Sequence, residues 1–148
     1  MVARCREFNK GGKLPGLNGG KQGVSGGNHD DGGFSVRLMW RREGEGEAYL
    51  YVPTDCQAPE FAHYPPRTKV EGRAGVSFAR GAWRYTPGRW MRVAITVRLN
   101  SVVGGAPAQD GLLRVDIDGE TKIRYDRLVW RKSEAIQVDH VFFSTFYG

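Results

Sequence analysis

Ser35, Arg37, Tyr49 and Tyr51 are the residues of this sequence whose types and spacing could do chemistry together. In the run Phe34-Ser35-Val36-Arg37-Leu38-Met39-Trp40, strand alternation puts Phe34, Val36, Leu38 and Trp40 on one face. Ser35, Arg37 and Met39 fall on the other. In Ala48-Tyr49-Leu50-Tyr51-Val52 the two tyrosines share a face opposite Ala48, Leu50 and Val52. The turn-like RREGEGE between them predicts a hairpin of strands 34–41 and 47–53. With the apolar face on the core, the four polar residues are displayed together, because cross-strand neighbours sit ~5 Å apart. A phenol ionises near pH ~10, so it removes protons poorly at neutral pH unless a cation stabilises its phenolate. Arg37 supplies that cation, and Lys13 and His29 add to it if the preceding glycine-rich segment folds over the same face. Removing a proton beside a carboxylate needs a base at the carbon and positive charge on the carboxylate. Tyrosine, arginine, lysine and histidine meet both needs without a metal or organic cofactor. The plainer reading of the cluster is an arginine packed on aromatic rings of an exposed sheet.

Other chemistries fit less well. His29, His63 and His140 are far apart in sequence and lack zinc-site spacing with either cysteine. The run GGKLPGLNGG lacks the spacing of a phosphate-binding loop and precedes a strand instead of following one. Glycoside hydrolysis needs a carboxylate pair. Asp30-Asp31 and the series Glu43, Glu45, Glu47 are available, but the series reads as a solvated acidic turn.

The elements that must position these residues are short strands. The 148 residues suit one domain, and 21 glycines with 7 prolines and no long helix-forming stretch favour an all-β chain. Residues 9–33 read as a flexible linker or as an ordered loop carrying part of a site. Residues 53–74 read as an ordered proline-rich loop. Further strands are predicted at 75–79, 82–85, 90–99, 112–118, 121–125 and 137–146, with Val93, Ile95, Val97 and Leu99 on one apolar face. Asp118-Gly119 predicts a two-residue hairpin turn, and 101–111 a surface loop. The fold class is an antiparallel β-sandwich of jelly-roll type. The formal charge of +6 favours an anionic polymer as partner. Interleaved aromatics of a nucleic-acid-binding fold are lacking, so nucleic acid is not the expected partner. No apolar run reaches the ~20 residues of a membrane span, and MVARCREFNKGGK lacks the apolar stretch of a secretory signal. Cys5 and Cys56 are expected as free thiols. The sequence leaves oligomeric state open.

The ordered segments GGKLPGLNGG, SGG, GFSVRLMWR and GEGEAYLYVP, then FARGAWRYTPGRWMRVAITVRLN, the Asp110-Gly111 pair and FFSTFYG, resemble polysaccharide lyase family 14 over nearly the whole chain. The resemblance implies a β-jelly roll with a cleft across a concave sheet. It implies β-elimination at a uronate sugar of an acidic polysaccharide such as alginate or glucuronan. Lys13 matches a lysine that contacts the substrate carboxylate, and His29, Ser35 and Arg37 match further cleft positions. Tyr49 and Tyr51 match paired tyrosines, either of which could be the base and the proton donor. The family's usual setting is extracellular. Asn18 stands where an aromatic residue is expected. Strands that normally precede GGKLPG and follow FFSTF are lacking, which implies a truncated domain with exposed edges. A non-catalytic carbohydrate-binding domain derived from such a lyase is the alternative.

Overall fold

The computed structural model describes residues 10–20, 24–25, 31–72, 75–143 and 145–147. The chain is almost entirely antiparallel β. Strands β1 (Gly12–Gly20), β2 (Gly33–Trp40) and β3 (Gly46–Tyr51) are followed by β4 (Lys69–Val70) and β5 (Val76–Phe78). Strands β6 (Val93–Arg98), β7 (Val102–Val103), β8 (Ala106–Pro107), β9 (Gly111–Ile117) and β10 (Glu120–Leu128) come next. The last two are β11 (His140–Phe142) and β12 (Phe146–Tyr147). The large sheet runs β11-β1-β2-β3-β5-β4, with β12 also pairing β1, and a smaller sheet runs β10-β9-β6.

The two sheets form the predicted sandwich because alternation supplies each with an apolar face. Phe34, Val36, Leu38, Ala48 and Leu50 from the large sheet are fully buried against Leu113, Val115 and Ile123 from the small one. Each of these side chains except that of Ala48 contributes about 1.5–3 kcal/mol when removed from water. Phe61, Tyr64 and Phe78 stack at one end, with ring centroids 5.2 Å and 4.7 Å from that of Phe78. Asn100, just past the end of β6, is fully buried. Its Oδ1 accepts from the backbone N–H groups of Trp130 and Arg131, and its Nδ2 donates to Ser101 and Arg131 carbonyls.

The hairpin of β2 and β3 forms as expected, in the register Ser35↔Tyr51, Arg37↔Tyr49 and Met39↔Glu47. Asp118 and Gly119 both take positive φ, 52° and 86°, as a tight two-residue turn between β9 and β10 requires.

Several expectations are corrected. Residues 12–20 are neither linker nor loop but β1, in the interior of the large sheet between β2 and β11. Its glycines serve close approach instead of flexibility. A Cβ at Gly16 would lie 1.9 Å from the Val36 carbonyl oxygen, and one at Gly12 1.9 Å from the Trp40 ring. Residues 82–85 do not form a strand, because pairing there is a single bridge from Arg84 to Glu45. The stretch 137–146 is broken into β11 and β12 rather than continuous. Within the expected loop 101–111, β7 and β8 make a small hairpin. Within 53–74, a short 3-10 turn (Pro59–His63) and β4 appear. Ile95, Val97 and Leu99 are only partly buried and Val93 is exposed, because β6 lies at the edge of its sheet. Cys56 is a free, half-buried thiol, whereas Cys5 lies outside the described residues. Among the described residues no helix is long and apolar enough to cross a membrane.

Candidate active site

The face of the large sheet turned away from the core carries a second, polar surface. Residues directly opposite in an antiparallel pair point to the same side. The register therefore aligns His140, Asn18, Ser35 and Tyr51 in one row, and Phe142, Gly16, Arg37, Tyr49 and Ser77 in the next. Phe146, Lys13, Met39 and Glu47 make a third. Of the residues predicted from sequence, Lys13, Ser35, Arg37, Tyr49 and Tyr51 are all brought to this face. His29 lies outside the described residues.

A small apolar cluster of Val24, Met39, Tyr49 and Tyr51 sits on the same face, separate from the main core. The Ser35 hydroxyl donates to the Val24 carbonyl at 2.5 Å and so ties this segment down beside the tyrosines. The tyrosine rings meet edge to face with centroids 5.8 Å apart. The Tyr49 hydroxyl donates to Glu71 Oε2 at 3.0 Å. Burial, reinforced by that carboxylate, holds Tyr49 well above the ordinary phenol range.

The cations are crowded. Burial lowers Lys13 from the ordinary lysine value, and the charges of Arg37 and Arg41 lower it further. Arg37 is only 5% exposed and is likewise lowered by burial, with Tyr51 opposing the shift. Neither Lys13 nor Arg37 makes an ion pair with a described residue, and Arg37 instead lies 4.3 Å from the Phe142 ring centroid. Such an arrangement favours an incoming anion, because a bound carboxylate relieves repulsion that the folded chain otherwise carries.

Sequence reasoning missed several members of this face. Glu47 is not part of a solvated acidic turn. It is fully buried, accepting from Arg41 Nε at 2.7 Å and from the Ser77 hydroxyl at 2.5 Å. Its parity with Tyr49 and Tyr51 on β3 was the available signal. Glu71, Phe142 and Phe146 carried no local signal, since they reach the site only through long-range pairing. Glu45, which keeps partial contact with solvent, pairs with Arg67 and Arg80 away from the tyrosines. Asp31 pairs with Lys132, and Asp30 is outside the described residues. His63 lies on the 3-10 turn of residues 59–63 and His140 on β11, both exposed. Among the described residues no group of three or more His, Cys, Asp or Glu could hold a metal ion.

Comparison with known proteins gives this geometry a context. The sequence profile of the family described as Polysaccharide lyase 14 matches residues 4–148. No curated protein sequence matches the chain. Among solved structures, the chain is similar to the marine PL-14 alginate lyase from Aplysia kurodai. That match has 33% identity and a TM-score of 0.81, over 95% of this chain and 55% of that one. It is also similar to alginate lyase vAL-1 from Chlorella virus, with 27% identity and a TM-score of 0.77, over 99% of this chain and 58% of that one. The fold, at 20% identity and a TM-score of 0.68, is shared with alginate lyase Aly36B, solved in complex with an alginate trisaccharide. The chain thus spans little more than half the length of these lyases.

Proposed function

Given that this chain belongs to polysaccharide lyase family 14, we propose that it cleaves a uronate-containing acidic polysaccharide by β-elimination, alginate before glucuronan. The observation that carries this reading is two cations, Lys13 and Arg37, without a described ion-pair partner and on one sheet face with two tyrosines. Lys13 and Arg37 neutralise the sugar carboxylate, which lets negative charge build at the neighbouring carbon. One tyrosine removes the proton from that carbon. The electron pair forms a carbon–carbon double bond, the bond to the glycosidic oxygen breaks, and a tyrosine hydroxyl protonates that oxygen. Ser35 shapes the floor of the cleft through Val24, and the exposed Phe146 offers its ring to the sugars. His29 is assigned to the same cleft on the resemblance alone. A polymeric substrate of this kind is met outside the cell, which is where this reading places the reaction.

The test is ultraviolet absorbance of the unsaturated product over time, with polymannuronate, polyguluronate, mixed alginate and glucuronan as substrates. The expected result is a rise on an alginate-type polymer that is lost in Tyr51→Phe or Tyr49→Phe. Undiminished activity in both variants would overturn the tyrosine roles. Salt-sensitive binding by folded protein with no absorbance change would instead mark a carbohydrate-binding domain.

A further inference from the structure

Glu71 reaches the tyrosine pair from outside the hairpin that carries it. It follows β4, and its backbone N–H donates to the Gly75 carbonyl at 2.8 Å, closing a turn next to β5. Its side chain accepts the Tyr49 hydroxyl at 3.0 Å, while Lys69, largely exposed, lies 3.5 Å from its other oxygen. The two phenols therefore have different surroundings. Negative charge on Tyr49 would face the Glu71 carboxylate, whereas Tyr51 lies close enough to Arg37 for their charges to interact.

We propose that Glu71 is a positioning residue that divides the work of the tyrosine pair, keeping Tyr49 as the proton donor and leaving proton removal to Tyr51. This rests on the lyase reading above. Tyr51, as phenolate, takes the proton beside the sugar carboxylate, and that C–H electron pair becomes the new double bond. The C–O bond breaks, and the leaving oxygen takes the Tyr49 proton. The cycle then ends with a proton on Tyr51 and negative charge on Tyr49. With Glu71 beside it, that charge is unfavourable, so return of the proton from Tyr51 to Tyr49, directly or through water, resets the site. Glu71 thus acts after each turnover as well as before it.

The charged groups around Tyr49 fit this division. Arg41, following β2, holds its guanidinium carbon 5.5 Å from the Tyr49 ring centroid but is engaged by Glu47. Arg37 lies opposite Tyr49 on β2, Glu47 precedes it on β3, and Lys69 lies beyond Ser77 on β4. Burial and Glu71 together outweigh the opposing charge of Arg41, so Tyr49 stays protonated.

The experiment uses Glu71→Gln, which keeps an acceptor oxygen and removes the charge, with Glu71→Asp as the conservative variant. Alkaline difference spectroscopy of the whole chain without substrate follows phenol ionisation, and Tyr49→Phe identifies the Tyr49 component. In Glu71→Gln that component ionises at lower pH. In steady-state cleavage the alkaline limb of kcat moves to lower pH and kcat falls several-fold with KM little changed, and Glu71→Asp restores the limb. A merely structural Glu71 would shift the phenol titration and lower stability without moving the alkaline limb of kcat. If product forms but the alkaline limb of kcat is unmoved in folded Glu71→Gln, the inference fails while the lyase reading stands. If wild-type protein forms no product, the lyase reading and the donor role fall together, and the spectroscopic titration separates that outcome from the first.

Discussion

The Arg37 guanidinium carbon lies 4.3 Å from the centroid of the Phe142 ring, although the two residues belong to strands separated by β1. The residue between them in the register is Gly16, paired with Phe142 on one side and with Arg37 on the other. A side chain there would interpose itself, and even its Cβ would collide with the Val36 carbonyl. The glycine lets an arginine reach an aromatic face two strands away. In a site that crowds three cations, that face holds Arg37 in place without neutralising it, as an acidic partner would.

Phe142→Leu should therefore loosen Arg37 while preserving its charge. A cation–π contact is worth about 1 kcal/mol, so KM for the polymer is expected to rise about fivefold, with a smaller change in kcat. Steady-state kinetics check this. A KM equal to that of wild type would show that Arg37 is positioned by its own strand alone.

Lys13→Met should separate function from stability. Burial first, and then Arg37 and Arg41, hold Lys13 below its ordinary value of 10.5. The unfolded chain therefore binds this proton more tightly than the folded one. The position costs stability below the folded value, and stability is regained as pH rises from there towards 10.5. Removing the charge is expected to raise Tm slightly at pH 7 while KM rises sharply. The gain is small because much of the side chain meets solvent. For wild type, KM should climb with pH at lower pH than a free lysine would dictate. A thermal melt showing a lower Tm for Lys13→Met would contradict the crowding argument.

The Arg41–Glu47 pair predicts unequal costs for its two members. Glu47 is fully buried and Arg41 keeps 26% of its side chain exposed. Arg41→Ala strands a buried carboxylate, a loss of about 3–5 kcal/mol. Glu47→Ala leaves an arginine that can turn to water and one unsatisfied serine, so about 1–3 kcal/mol is expected. Urea unfolding of the two variants measures the order. The reverse order would mean that Ser77, not Arg41, satisfies Glu47.

Gly12→Ala and Gly16→Ala should differ in whether they can be rescued. The added methyl group meets the Trp40 ring at Gly12 but the Val36 backbone at Gly16. Overpacking of this kind costs about 1–3 kcal/mol or more. Trp40→Leu should recover much of the loss from Gly12→Ala, measured as non-additivity in a double-mutant cycle. No side-chain substitution at Val36 should recover Gly16→Ala.

The hairpin of β2 and β3 was legible because nothing interrupts its alternation, and the grouping of Ser35, Arg37, Tyr49 and Tyr51 on one face follows from parity alone. β1 was hidden by the property that makes it work. Glycines that permit close approach to Val36 and Trp40 look, in sequence, like glycines that permit motion. Glu47 adjoins the acidic turn in sequence, although it shares the parity of Tyr49 and Tyr51. Glu71 and Phe142 could not be placed, since their proximity depends on the β4–β5 and β1–β11 pairings.

Both faces of β2 are buried, one against the core and the other among Val24, Tyr49 and Tyr51. Sliding β2 by one residue against β3 would exchange the two sides and drive Arg37 into the layer now filled by Leu38. Ionic groups set among the tyrosines thus act as proofreading marks during assembly, since a slipped hairpin would bury charge in hydrocarbon. Substitutions that strip this second face of its charges in pursuit of a more robust scaffold would erase those marks, and the resulting chain could harden into the wrong alignment.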